Sequence, residues 1–235
     1  MKVWGFAVIA MLCAPMAVAE EVTVAVASNF LRTAEKIAAA FEAASDHEVV
    51  LSNGSTGLLY AQIEAGAPFD IFLSADDLRP RLLREAGIAL DTRPYAIGAL
   101  ALLSKEPVSV ETAPLAFQGK TAALADPTVA PYGRAATRTM EALGLDTQTF
   151  RPVMVANVGQ VASIFATGNA DLAFVAVAQL DRISAPHVLA LDGVAPEIRQ
   201  DAALLSETAA ARAFWDWLAR PETAAQIAAD GYTIP

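Results

Sequence analysis

The stretch Asn53–Asp76, NGSTGLLYAQIEAGAPFDIFLSAD, sets hydroxyls where they could do chemistry. Gly54-Ser55-Thr56-Gly57 come just before the apolar pair Leu59 and Ile63, and Gly66 closes the run, so Ser55 and Thr56 stand at the start of a short helix. The first amides of a helix have no partner within it, and the helix dipole favours negative charge there. Hydroxyls added to such amides make an anion site. Taken alone, a plain helix cap accounts for the stretch more simply. The segments Ser28-Asn29, Pro131-Tyr132-Gly133 and Asn157-Val158-Gly159 alter that balance, because each also brings hydroxyls, small residues or free amides to a strand end where a helix begins. Two segments from each half of the chain thus hold the donors of an oxyanion site made without charged groups.

The elements that must position these segments alternate. Val22–Ala27, VTVAVA, is a β-branched apolar run and reads as a buried strand. Phe30, Ala34, Ile37 and Phe41 then fall on one helical face. Val49–Leu51 and Phe69–Leu73 are further strands, with helices after Ser55 and Asp76, the second stopping near Gly87. Residues 88–98 show no strong period, and a boundary is plausible there. Strands at Ala99–Leu103, Thr121–Ala125, Val153–Ala156 and Asp171–Val177 repeat the theme, with helices ending at Gly144 and Gly168. Strand Val188–Leu191, a helix through Phe214 and Trp217, and a last helix from Pro221 to Gly231 complete the chain. On that last-but-one helix Phe214 and Trp217 are expected in the core, with Trp215 outside it. The pattern predicts an α/β fold, with ligands at the carboxyl ends of the strands.

Other chemistry is hard to build from this sequence. Lys2, the apolar run Val3–Met11 and Ala17-Val18-Ala19 have the layout of a secretory leader cleaved after Ala19. The single cysteine, Cys13, leaves with it, and bulky Leu12 argues against a lipid anchor there. The net charge of −10 is scattered without a basic run, which argues against nucleic acid. Zinc, P-loop and nucleophile-elbow motifs do not occur, and the two histidines, His47 and His187, stand far apart in predicted loops. Asp70, Asp76 and Asp77 could form a metal cluster, but Asp76-Asp77 is better explained by a helix start. A secreted hydrolase using Ser28 or Ser55 would need a base that the sequence does not place.

YAQIEAGAPFDIFLSAD (60–76) resembles the periplasmic molybdate-binding proteins of ABC importers, the ModA family. VAVASNF (24–30), ADPTVAPYG (125–133) and RPETAAQIAADGYTIP (220–235) support it, and the likeness spans nearly all of the mature chain. The resemblance implies a two-lobed periplasmic binding protein of type II, each lobe a mixed sheet flanked by helices, with two crossings near Gly98 and Leu180. Lobe 1 would comprise residues 20–97 and 182–235, and lobe 2 residues 98–181, after the leader at 1–19. Molybdate or tungstate would sit in the cleft, with molybdenum held only as the oxyanion and no cofactor required. By motif, Ser28 supplies a hydroxyl and Asn29 an amide. Thr56 takes the second hydroxyl position with Ser55 beside it, and Tyr132 and Val158 give backbone amides. Some members carry a tyrosine where this sequence has Ala176 at the end of LAFVA. The Tyr132 hydroxyl is the expected replacement. The implied protein is a periplasmic monomer that delivers its ligand to a cognate permease in the inner membrane. Sulfate or phosphate is the alternative ligand.

Overall fold

The computed structural model describes residues 20–235, and the expected leader at 1–19 lies outside the described residues. VTVAVA lies within β1 (Glu21–Ala27), which pairs in parallel with β2 (Glu48–Gly54) and β3 (Ile71–Leu73). Helices α1 (Leu31–Glu42) and α2 (Thr56–Glu64) make the connections, and α3 (Leu78–Glu85) follows β3. β4 (Asp91–Gly98) lies at the edge of this sheet, antiparallel to β10 (Ile198–Leu204), giving the order β2-β1-β3-β10-β4. Both faces of β1 are covered. Val22, Val24 and Val26 enter one core with Phe30, Phe41 and Phe214, while Ala25 faces Leu59, Phe72 and Leu83 in another.

The second sheet repeats the plan. β5 (Leu100–Ser104), β6 (Thr121–Ala125), β7 (Arg151–Val155), β8 (Leu172–Ala176) and β9 (His187–Ala190) pair in the order β7-β6-β8-β5-β9. Its helices are α4 (Ala113–Ala116), α5 (Pro131–Ala142) and α6 (Val158–Ala166). In each sheet the parallel strands occupy one side, and the strand that enters from the other sheet, β10 or β5, pairs antiparallel beside them. The chain ends in α7 (Ala209–Leu218) and α8 (Pro221–Ala229), which pack on the first sheet's core.

Several sequence expectations are corrected. Residues 91–98 and 198–204 are strands that pair with each other, where the sequence pattern suggested none. β4 carries Pro94 and β10 alternates buried Ile198, Gln200 and Ala202 with polar neighbours. The register shifts between Gln200 and Asp201, opposite Pro94, which is how an edge strand accommodates proline. The return crossing follows β9 rather than falling at 181/182. The 3-10 turn Val177–Arg182 dips toward the first lobe, with Ala178 against its core and Asp181 paired to Arg32, but β9 goes back to pair with β5. Trp215 is buried and Trp217 only partly so, because the buried arc of α7 takes in Ala210, Ala211, Phe214, Trp215 and Leu218. Trp215 carries the Arg93 guanidinium 3.9 Å from its ring centre.

Candidate functional site

Loops at the carboxyl ends of β1, β2, β6 and β7 converge on one small cavity between the sheets. It is lined by Ser28 and Asn29 after β1, Ser55 and Thr56 after β2, Tyr132 on α5 and Val158 on α6. The structure therefore brings all six sequence-derived candidates to one place. The cavity volume is about 10 Å³. Pockets for organic ligands run to roughly 300–1,000 Å³. A sugar, nucleotide or peptide is far too large for an enclosure with room for about one water.

Each candidate is held differently. Ser55 is the N-cap of α2, yet its hydroxyl makes no capping bond and is buried without a partner. The Thr56 hydroxyl accepts from the Ala75 amide at 3.1 Å, which ties α2 to the loop after β3. The Ser55 hydroxyl thus has no partner, while the Thr56 oxygen accepts a structural bond and its proton makes no bond to the protein. The Ser28 hydroxyl accepts from the Gly159 amide across the cleft at 3.4 Å, a long and weak bond. Asn29 donates through Nδ2 to Gln200 Oε1 at 2.9 Å and to the Tyr232 oxygen at 3.1 Å. Thr56 and Val158 are the first helical residues of α2 and α6, and Tyr132 the second of α5, so their amides have no acceptor inside their own helices.

Tyr132 is 2% exposed and its hydroxyl, like that of Ser55, has no partner. Burial pushes its phenol above the ordinary value of 10.0, offset in part by the neighbouring amides of Gln200 and Asn29. The group is therefore neutral and a potential donor at physiological pH. Ala176 ends β8 fully buried in the second core, so no side-chain donor comes from that position. Apart from the phenol, no ionisable side chain lines the cavity among the described residues.

Charges gather at the flank. Asp76 accepts from Ser74 Oγ and from the Arg79 amide, each at 3.1 Å, pairs with the Arg79 guanidinium, and reaches Arg134 Nη2 on α5 at 2.7 Å. Asp76 thus serves an arginine pair and a helix start, and no group of three or more metal-ligating side chains occurs among the described residues. Nearby, Gly57 N–H donates to Val129 O at 2.8 Å, and a Cβ on Gly57 would lie 2.9 Å from Val129 Cα and O. On the other side a wider cleft of about 450 Å³ shares Ser28, Asn29 and Asn157 with the cavity and is bordered by Arg32 and Arg182. Neither His47 nor His187 lines the cavity, so the hydroxyls have no base beside them.

The family profile of bacterial extracellular solute-binding proteins matches residues 22–233. The molybdate-binding protein ModA of Azotobacter vinelandii is 39% identical over 236 residues, covering 95% of this chain and 94% of that protein. ModA of Rhodobacter capsulatus is 39% identical over 226 residues, with 92% and 89% covered. The chain belongs to the ModA family. A solved periplasmic molybdate-binding protein from Azotobacter vinelandii superimposes with a TM-score of 0.80 at 36% identity, covering 91% of this chain and 99% of that one. ModA proteins are solute-binding proteins rather than enzymes, in keeping with hydroxyls that lack a base.

Sequence reasoning missed Gln200, which contacts Asn29 and Tyr95 from the first sheet. The signal was present as an inward polar position in IRQDAAL, but that strand itself went unrecognised. Asn157 was noted only as part of a loop. It lines the cavity and caps α6, its Oδ1 accepting from Gln160 N at 3.0 Å.

Proposed function

We propose that this chain captures molybdate or tungstate as the intact oxyanion between its two lobes and delivers it to a permease of an ABC importer. The observation that carries this reading is the pair of buried, unpartnered hydroxyls of Ser55 and Tyr132, two residues that line one uncharged cavity at three helix starts. Unmet donors in a buried place are costly, and a ligand rich in acceptors relieves that cost. A tetrahedral dianion offers four such oxygens. The molybdate-binding names of the relatives at 39% identity point to the same ligand class.

In this reading Ser28, Ser55, Thr56 and Tyr132 donate hydroxyl protons, Ser28 and Thr56 while accepting from backbone amides, and the first-turn amides at Thr56, Tyr132 and Val158, with the amide of Asn29, complete the shell. Hydrogen bonds to a charged group contribute about 1.5–3 kcal/mol each. A handful nominally exceeds the roughly 8–12 kcal/mol of micromolar to nanomolar binding, and desolvation and lobe closure consume the excess. Donors without charge also suit release, since no buried countercharge is stranded when the ligand departs. The lobes would close as a hinge about Gly98 and the segment between β9 and β10. The wider cleft, bordered by Arg182 and by Arg32 in its pair with Asp181, is the approach for an anion to a chain of net charge −10. Export to the periplasm through the leader at 1–19, and action as a monomer, belong to the same proposal.

Isothermal titration of residues 20–235 with molybdate, tungstate, sulfate and phosphate tests it. Tight binding of the first two, with neither of the others, is the expected result. Binding of sulfate or phosphate alone keeps an anion receptor and discards the cargo.

A further inference from the structure

Gln200 is 0% exposed; its side chain bonds Asn29 of the first lobe, and its nitrogen and the Tyr132 hydroxyl of the second lobe both lie against Gly98. Its Oε1 accepts from Asn29 Nδ2 at 2.9 Å, with the Tyr95 hydroxyl 3.3 Å away. The proton of Tyr95 goes to Ser74 O at 2.9 Å, and that of Tyr232 to Asn29 O at 2.8 Å. These bonds settle the amide with its oxygen toward Asn29 and its nitrogen on the other side. Nε2 has no partner, and neither does the Tyr132 hydroxyl. Both press on the same point of backbone: a Cβ on Gly98 would lie 2.2 Å from the Tyr132 oxygen and 2.6 Å from Gln200 Nε2.

We infer that Gln200 is a positioning residue that makes Tyr132 a dedicated hydrogen-bond donor to the bound oxyanion. The inference rests on the proposed function. With an amide N–H facing its oxygen, the phenol has an acceptor's role on that side, and its own proton is left for the cavity. An acceptor at position 200 would take that proton instead, and the anion would meet a phenol oxygen lone pair. Tyr132 comes from the second lobe and Gln200 from the first, so the arrangement forms only when the lobes meet. Gly98 lies at the crossing between them, and its missing side chain leaves room for both groups.

The test is titration of the 20–235 protein with molybdate and tungstate, using wild type, Tyr132→Phe, Gln200→Glu and the double variant at pH 8. Tyr132→Phe and Gln200→Glu should each weaken binding about tenfold or more, the effect of one lost bond to a charged group. The double variant should bind within about threefold of Tyr132→Phe, because both changes remove the same donor. Burial raises the pKa of the introduced carboxyl, so its affinity should recover as pH falls toward about 6, where the carboxyl is protonated and donates again. A merely structural role would give no such recovery. Gln200→Glu that binds like wild type overturns the inference, since Gln200 would then already accept the Tyr132 proton. An equal, full loss in the Tyr132→Phe background also overturns it, since simple repulsion would then be at work. Should the carboxyl prevent folding, neutral Gln200→Met replaces it, with a loss expected only when Tyr132 is present. A wild type that binds neither oxyanion overturns the functional reading as well. Binding by wild type without the Tyr132-dependent loss overturns this inference alone.

Discussion

The Asp76 cluster and the central cavity both join the lobes, one with charges and the other with neutral donors. At Asp76 the carboxylate is shared by Arg79, Arg134, Ser74 and a helix amide, and the side chain is 7% exposed. In the cavity the hydroxyls of Ser55 and Tyr132 are buried and have no partner. The difference teaches where each kind of group can be left. A buried charge must be paired at all times, so it sits where the protein itself supplies the partner. A neutral hydroxyl costs less when unmet, so it can wait for a ligand.

The largest effect that sharpens this contrast is expected at Ser55. Ser55→Ala should weaken molybdate binding by about 1.5–3 kcal/mol in a titration, with the ligand-free melting temperature unchanged or raised, because no internal bond is lost and a buried unmet hydroxyl is removed. Thr56→Ala differs: it strands the Ala75 amide, so melting should fall as well, and equal melting for the two would break the distinction. Gly57→Ala comes next. Its methyl would press on Val129, so closure should cost about 1–3 kcal/mol, read as weaker binding with normal ligand-free melting. Arg134→Ala should cost only about 0.2–1 kcal/mol in affinity, because this arginine is 36% exposed and Arg79 still pairs Asp76. A loss as large as that at Ser55 would mean that the flank, not the cavity, drives closure.

The smallest expected effect is that of pH. Affinity should stay flat from about pH 7 to 9, since phenol and hydroxyl donors do not titrate there. Tyr95, Tyr132 and Tyr232 all have phenols pushed above 10.0, mainly by burial. The folded state therefore holds these protons more tightly than the unfolded chain. Their contribution to stability is complete below about pH 10 and falls as pH rises beyond it, a trend that alkaline denaturation would read. Stability that rises above pH 10 would contradict the burial of these phenols.

Much of the first sheet was legible because its signals are local. VTVAVA has a continuous apolar run, and Phe30, Ala34, Ile37 and Phe41 keep helical spacing, so β1 and α1 could be read one turn at a time. Ser55 and Thr56 were legible as a helix start for the same reason. What stayed hidden depends on partners far away in the chain. β4 and β10 are joined across about a hundred residues, each with polar or proline positions that a local pattern treats as loop. β9 was found as a strand, but only its pairing with β5 assigns it to the second sheet.

The sequence by itself determined the alternation of strands and helices and the hydroxyls and small residues at helix starts. Those properties follow from residue type and spacing over a few turns. Only the tertiary structure decided that the Ser55 hydroxyl has no partner while the Thr56 oxygen accepts a bond, since the choice rests on an amide at Ala75. It also decided that Gln200, Gly98 and Tyr132 meet at the crossing, because packing distances between remote strands fix that contact and no local pattern encodes it.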